Sequence, residues 1–306
     1  MHKATTYRSN GKLLLTAEYV VLDGAKALAL PTTFGQNLTV KETTNNTISW
    51  QSINELGNTW FETVISVEEL TNTLNIDIEK DVKQRLIQIL KSAKTLNPEF
   101  LNSSTGYAIE THADFNTSWG LGTSSTLINN IAEWAVVNPY QLLKLTFGGS
   151  GYDIACASAK SAITYQIESN NPIANAVDFN PSFKNQLYFV YLNQKQNSRK
   201  GIAQYKAYKG DLSKTIDNVN GITDAFITCE TLEEFQSLMR QHERLISNII
   251  KLEPVKSKLF NDFNGAIKSL GAWGGDFVLV ASDSDPTAYF KSKGYNTIVS
   301  YESMIL

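Results

Sequence analysis

Apolar residues alternate or run in short blocks through the first third of the chain, a pattern that predicts strands. Residues 12–15 and 27–30 are compact apolar runs, and Pro31 is expected to close the second. Residues 34–40 and 47–51 alternate as half-buried strands do, with the Asn45-Asn46 pair as the turn between them. The spacing then changes. Val82, Leu86, Ile89, Leu90 and Ala93 recur at helical intervals from Asp81 onward. A strand is expected over 106–111, then a glycine-rich turn. The stripe Leu127, Ile128, Ile131, Ala132 and Ala135 predicts the next helix, with Pro139 as its stop.

A second glycine turn, at 148–151, leads into the small-residue segment 154–159, which suits a helix packed close to a neighbour. Residues 163–167 read as a strand. The Asn-rich stretch 168–185, with Pro172 and Pro181, is expected to be the crossing between two domains, 1–180 and 181–306. Beyond it, residues 187–192 predict a buried strand. Thr231-Leu232-Glu233-Glu234 is a capping box that opens a long helix, and His242 falls on its apolar stripe as a core or interdomain residue. A third glycine cluster, 271–275, precedes the strand 277–280.

Composition narrows the class. The 306 residues hold 42% hydrophobic content and a net charge of -3, which fits a soluble globular protein of two domains and advertises neither nucleic acid nor an anionic membrane as partner. Cys156 and Cys229 set no disulfide framework, and His2, His112 and His242 are scattered, which argues against structural zinc. The N-terminal residues lack a signal-peptide run, and no stretch approaches a membrane span, so a reducing cytoplasmic setting is the expectation.

Four segments carry candidate chemistry. In Trp119-Gly120-Leu121-Gly122-Thr123-Ser124-Ser125 the glycines let several N–H groups face one ligand, and the hydroxyls can meet phosphate or magnesium. Read alone, it could equally be a capped turn. In Gly148-Gly149-Ser150-Gly151-Tyr152-Asp153 the aspartate could accept a proton from a substrate hydroxyl, or simply cap a helix. Lys12 opens an apolar run and could stabilise phosphoryl charge, although a lone lysine at a strand end is more often solvated. Gly271-Ala272-Trp273-Gly274-Gly275-Asp276 could be a tight bend or a close backbone approach to ligand.

Together, in this order, the four resemble the GHMP kinases, the family of galactokinase, homoserine kinase, mevalonate kinase and phosphomevalonate kinase. Gly11-Lys12 with Ala17-Glu18-Tyr19-Val20 matches the first family motif, residues 120–124 the phosphate loop, and 271–275 the C-terminal glycine turn. Gly149-Ser150-Gly151-Tyr152-Asp153-Ile154-Ala155 and Gly274-Gly275-Asp276 are most similar to phosphomevalonate kinases. The resemblance implies an α+β fold of two domains, an N-terminal mixed sheet with helices and a C-terminal ferredoxin-like sandwich.

It also implies roles. Asp153 and Lys12 would be catalytic and paired. Gly120, Leu121, Gly122, Thr123, Ser124 and Ser125 would bind ATP, with Ser124 on Mg2+. Glu18, Ser150, Gly151, Gly274 and Asp276 would bind substrate. Apart from the resemblance, the segment 192–200 carries three cations and a hydroxyl, so Lys195 and Ser198 could hold an anionic group of a small substrate, or the segment could be a solvated loop. A homodimer stays open. The sequence departs from the family pattern at Trp119 and Trp273, which are bulky, and at 140–144, which lack a helper carboxylate for magnesium. Two alternatives stay open: a kinase for a sugar or amino-acid alcohol, and a catalytically silent metabolite-binding member.

Overall fold

The computed structural model describes residues 4–66, 68–70, 81–101, 105–196, 198–208 and 210–306. The chain forms two compact units. One comprises residues 1–11, 34–117 and 122–158; the other comprises 12–33, 118–121 and 159–306.

In the first unit a mixed sheet is covered by helices. Its strands are β1 (Thr5–Leu14), β2 (Ala27–Thr43), β3 (Thr47–Ile53), β4 (Thr59–Ser66) and β5 (Gly106–Ala113). The order is β4-β3-β5-β2, with β1 also on β2; β3 and β5 run parallel, while β3 with β4 and β2 with β5 run antiparallel. The helices are α1 (Val82–Leu96), α2 (Thr123–Ala135), α3 (Pro139–Thr146) and α4 (Tyr152–Ser158). Asp81 caps α1 by accepting from the Gln84 amide. Leu38, Trp50 and Ile109 of the sheet meet Leu90, Ile128, Ile131, Leu142 and Ile154 of the helices in one core.

The second unit takes the first residues of β2, which pair with β6 (Ile163–Glu168); β6 in turn pairs with β7 (Asn171–Ala176). The remaining elements follow in chain order as β8 (Leu187–Tyr191), α5 (Ser198–Lys206), α6 (Ser213–Thr228), α7 (Leu232–Ile250), α8 (Val255–Leu259), β9 (Ala266–Ser269), β10 (Phe277–Ala281), α9 (Thr287–Ser292), β11 (Ile298–Ser300) and α10 (Tyr301–Met304). A four-stranded antiparallel sheet has the order β11-β8-β10-β9. Val190, Ile267, Val278 and Val280 of that sheet pack with Phe260 and Phe290, while α7 lies against β9 and β10. This is the α+β architecture expected.

Four local expectations change. Pro31 does not end a strand, because the 17-residue β2 runs through it from Ala27 to Thr43. Pro139 does not stop α2. That helix ends at Val136 in a left-handed cap, and Pro139 opens α3 with Asn138 capping the Tyr140 and Gln141 amides. The segment expected to be the domain crossing contains β7, an exposed strand in a hairpin with β6. The cationic segment at 192–200 is not all loop, since α5 begins at Ser198.

Candidate active site

The phosphate-loop candidate takes the backbone its glycines allow. Gly120 has φ 71 and Gly122 has φ 95, both in the left-handed region. In the first unit Gly122 is the N-cap of α2, so the positive end of a 13-residue helix begins at Thr123. The three hydroxyls separate by environment. Ser125 is buried and donates to the Gly122 carbonyl at 2.8 Å, which closes the loop on itself. Thr126 is also turned inward, onto Gln36. Thr123 is half-buried and Ser124 is exposed. Among the three residues read as ligands, Ser124 has the side chain most open to a ligand.

Asp153 lies in the first turn of α4, after a turn with positive φ at Gly148, Gly149 and Gly151. Its Oδ1 accepts from the Ile154 amide at 3.0 Å. Ser150 is half-buried and Gly151 buried. The α2 and α4 helices pack together. Tyr140, at the start of α3, is near enough to Asp153 and Cys156 for their charges to act on it, and burial chiefly pushes its phenol above the ordinary range. Residues 140–144 hold no carboxylate, and this tyrosine is the side chain of that stretch on which Asp153 acts. Among the described residues no three His, Cys, Asp or Glu side chains come together in a way that could hold a metal ion.

In the second unit Lys12 is stitched to the chain at 120–121 twice. Its backbone N–H donates to the Leu121 carbonyl at 2.9 Å, and its ammonium donates to the Gly120 carbonyl at 2.8 Å. Asp276 lies against the same glycine: a Cβ at Gly120 would collide with its carboxylate. The Gln196 amide donates to Asp276 Oδ1 at 3.1 Å, and the Asp276 amide donates to the Gln194 carbonyl at 2.7 Å. Burial raises the Asp276 carboxyl above its usual range, against the pull of the Gln196 amide and the charges of Lys12 and Lys195. The structure therefore brings Lys12, Gly120 and Asp276 together.

The 271–276 turn is held from several sides. A side chain at Gly275 would strike Gln196 and the Gln194 carbonyl, so the close approach of these segments requires glycine there. Gly274 has φ 88, and Gln196 donates to the Trp273 carbonyl at 3.0 Å. Trp273 is 3% exposed and turned inward, with an indole N–H that has no partner. Trp119 packs edge-on against Phe277, 5.5 Å between centroids. The two bulky residues thus fill protein interior or pack on a strand. Lys195 is exposed; Ser198 starts α5, and its side chain lies outside the described parts of the structure.

Glu18 stands apart from the other candidates for substrate binding. It is 1% exposed, and its carboxylate accepts from Lys268 of β9 and lies 3.3 Å from His242 of α7. His242 is fully buried, as its place on the stripe predicted. Nothing local in the sequence marks Lys268 as the partner, 250 residues away.

No family model matches the sequence, and no curated protein does. Solved structures do match over nearly the whole chain. Mevalonate kinase from Methanococcus jannaschii aligns with a TM-score of 0.72 at 17% identity, covering 97% of each chain. Phosphomevalonate kinase from Streptococcus pneumoniae, in complex with phosphomevalonate and AMPPNP, aligns at 0.66 and 15%, covering 94% of this chain and 95% of that one. Galactokinase from Lactococcus lactis, complexed with galactose, aligns at 0.68 and 12%, covering 99% and 94%. The three act on different acceptors, so this likeness speaks to the fold.

Proposed function

We propose that this chain, which has the fold of the GHMP kinases, is an ATP-dependent small-molecule kinase of that type. Its acceptor is a small anionic alcohol or phosphate, mevalonate or phosphomevalonate. The observation that carries the reading is the Gly120–Gly122 backbone: two left-handed glycines, with the Lys12 ammonium on the carbonyl of the first. A turn of this kind ahead of a helix is a cradle for phosphate.

Each role follows from local chemistry. Amides of Gly120, Leu121, Gly122 and Thr123 hold phosphate oxygens. Lys12 offsets negative charge as it develops on the transferring group. Asp153 accepts or orients the proton of the acceptor hydroxyl. Ser150, Gly151, Gly274 and Lys195 supply polar contacts to the acceptor. Most of the rate comes from placing the two oxygens in line and countering charge.

The residues fit magnesium held loosely. Ser124 is an exposed hydroxyl at the helix start, and magnesium commonly keeps several waters with only one or two protein ligands. When bound, Mg2+ would neutralise charge on the phosphates.

The test is ADP release from ATP with mevalonate, phosphomevalonate, homoserine and hexoses. Turnover with one of the two mevalonates supports the full reading. Turnover only with homoserine or a hexose keeps the kinase and replaces the acceptor. Nucleotide binding without turnover on any acceptor overturns the enzyme reading.

A further inference from the structure

The turn after the Lys12 strand is strained and buried. Ala17 has φ 64 and Tyr19 has φ 67, a left-handed backbone that side chains other than glycine rarely adopt. Such strain persists only where the surroundings impose it. Here they do. The Ala17 amide donates to His242 Nε2 at 2.9 Å. Between the two strained residues, Glu18 accepts from Lys268, and the Lys268 ammonium also donates to the Ser269 carbonyl at 2.9 Å. Glu243, beside His242 on α7, takes the Ser269 amide at 2.8 Å. Ala17, Glu18, His242, Glu243, Lys268 and Ser269 are all at most 4% exposed. The turn also faces the third glycine segment: the Tyr19 phenol, raised chiefly by burial, is acted on by the Trp273 backbone and by the Asp276 charge.

The hydrogen bond from Ala17 fixes the histidine's chemistry. A nitrogen that accepts an amide proton presents its lone pair, so the ring proton sits on Nδ1. Glu18 Oε2 lies 3.3 Å from the same Nε2. An ionised oxygen facing that lone pair would be repelled; a protonated one would not. Charge counting agrees. With the imidazole neutral, two carboxylates share one lysine, and the buried group is neutral when one carboxyl keeps its proton.

We infer that His242 is a positioning residue for the first motif: its neutral imidazole holds the left-handed Ala17–Tyr19 turn and so fixes the strand end bearing Lys12 relative to the 271–276 turn. Glu18 belongs to this buried support and not to the acceptor-binding surface. Burial keeps the His242 pKa well below its ordinary value, in keeping with a ring that stays uncharged. The consequence for turnover rests on the kinase reading; the hydrogen bond and the tautomer do not.

Two measurements test this. The chain has three histidines, His2, His112 and His242, so NMR of isotope-labelled histidine can follow each ring, with His242→Gln making the assignment. His242 is expected as the neutral Nδ1–H tautomer throughout about pH 5 to 8. A ring that titrates in that range, or carries its proton on Nε2, overturns the inference. In kinetics, glutamine can still accept the Ala17 amide and leucine cannot. His242→Gln should keep kcat near wild type, while His242→Leu should lose about tenfold or more in kcat, the scale of a small misplacement of a reacting group, with KM for ATP little changed. Equal kcat for the two folded variants overturns the inference. If the leucine variant does not fold, or the wild-type protein turns over no acceptor, the NMR outcome alone decides, and the second case refutes the kinase reading separately.

Discussion

The Asp276 carboxylate occupies the space that a side chain at Gly120 would need. The third glycine segment therefore dictates the residue at the start of the candidate phosphate loop. Gly120→Ala adds a collision to an unfavourable φ of 71, and together they should cost about 2–4 kcal/mol in chemical denaturation and weaken ATP binding. Asp276 itself has φ 52, so Asp276→Gly is locally tolerable and removes the obstacle. The double variant should recover the collision part and leave the strain. A double variant no more stable than Gly120→Ala would show that the contact is not what forbids a side chain there.

Asp153→Asn is expected to lower turnover by about 10²–10⁴-fold while ATP affinity stays near wild type. Asparagine keeps the Oδ1 atom that accepts the Ile154 amide, so the start of α4 should survive. ADP release and nucleotide titration on the same sample check both halves. Retained turnover would remove Asp153 from the chemistry.

Lys268→Met leaves Glu18 without its buried cation and should destabilise the protein by about 3–5 kcal/mol. Adding Glu18→Gln should recover part of that loss, because the remaining group is uncharged. Simple additivity of the two substitutions in denaturation would mean that the pair is not coupled.

Thermal stability should fall as pH rises from about 4.5 to about 8, most steeply above 6.5. Burial raises Glu18 to about 7 and Glu243 to about 8, against the pull of Lys268. The folded state therefore binds these protons more tightly than the unfolded chain; that stabilisation is whole below about pH 4.5 and is lost progressively as pH rises through 7 to 8. Asp276, also raised by burial, acts in the same direction from about pH 3.8 upward, while Tyr19, raised from 10.0, acts only above that pH. His242 acts the other way: its depressed pKa removes stability as pH falls below the ordinary 6.5. Melting curves from about pH 4.5 to 8 should show Glu243→Gln flattening the decline and His242→Gln steepening its part below 6.5. Unchanged slopes would assign the pH dependence to other groups.

Elements with a strong local signature were legible in the sequence. The Thr231 cap and the stripe through Phe235, Leu238, Met239 and His242 gave α7, and the structure shows Thr231 accepting from the Glu234 amide. The three glycine turns, at 120–122, 148–151 and 271–275, were legible because φ > 0 leaves few alternatives to glycine. What was missed lacked such a signature. Strand β7 is exposed along its whole length, so it shows no burial pattern. Pro139 was read as a stop, although Asn138 before it is a start signal. The Glu18–Lys268 pair and the Tyr140–Asp153 proximity are made by folding, and spacing along the chain carries no trace of either.

The continuity of β2 bears on synthesis. Its second half pairs with β5 at residues 106–113, and its first half with β6 at 163–165. A chain emerging at roughly 5–20 residues per second exposes this 17-residue strand on the order of ten seconds before its last partner exists. Pro31, misread as a strand end, lacks an amide donor in the middle of that waiting segment. It interrupts the row of donors with which a neighbouring nascent chain could pair, and so protects the strand from premature association.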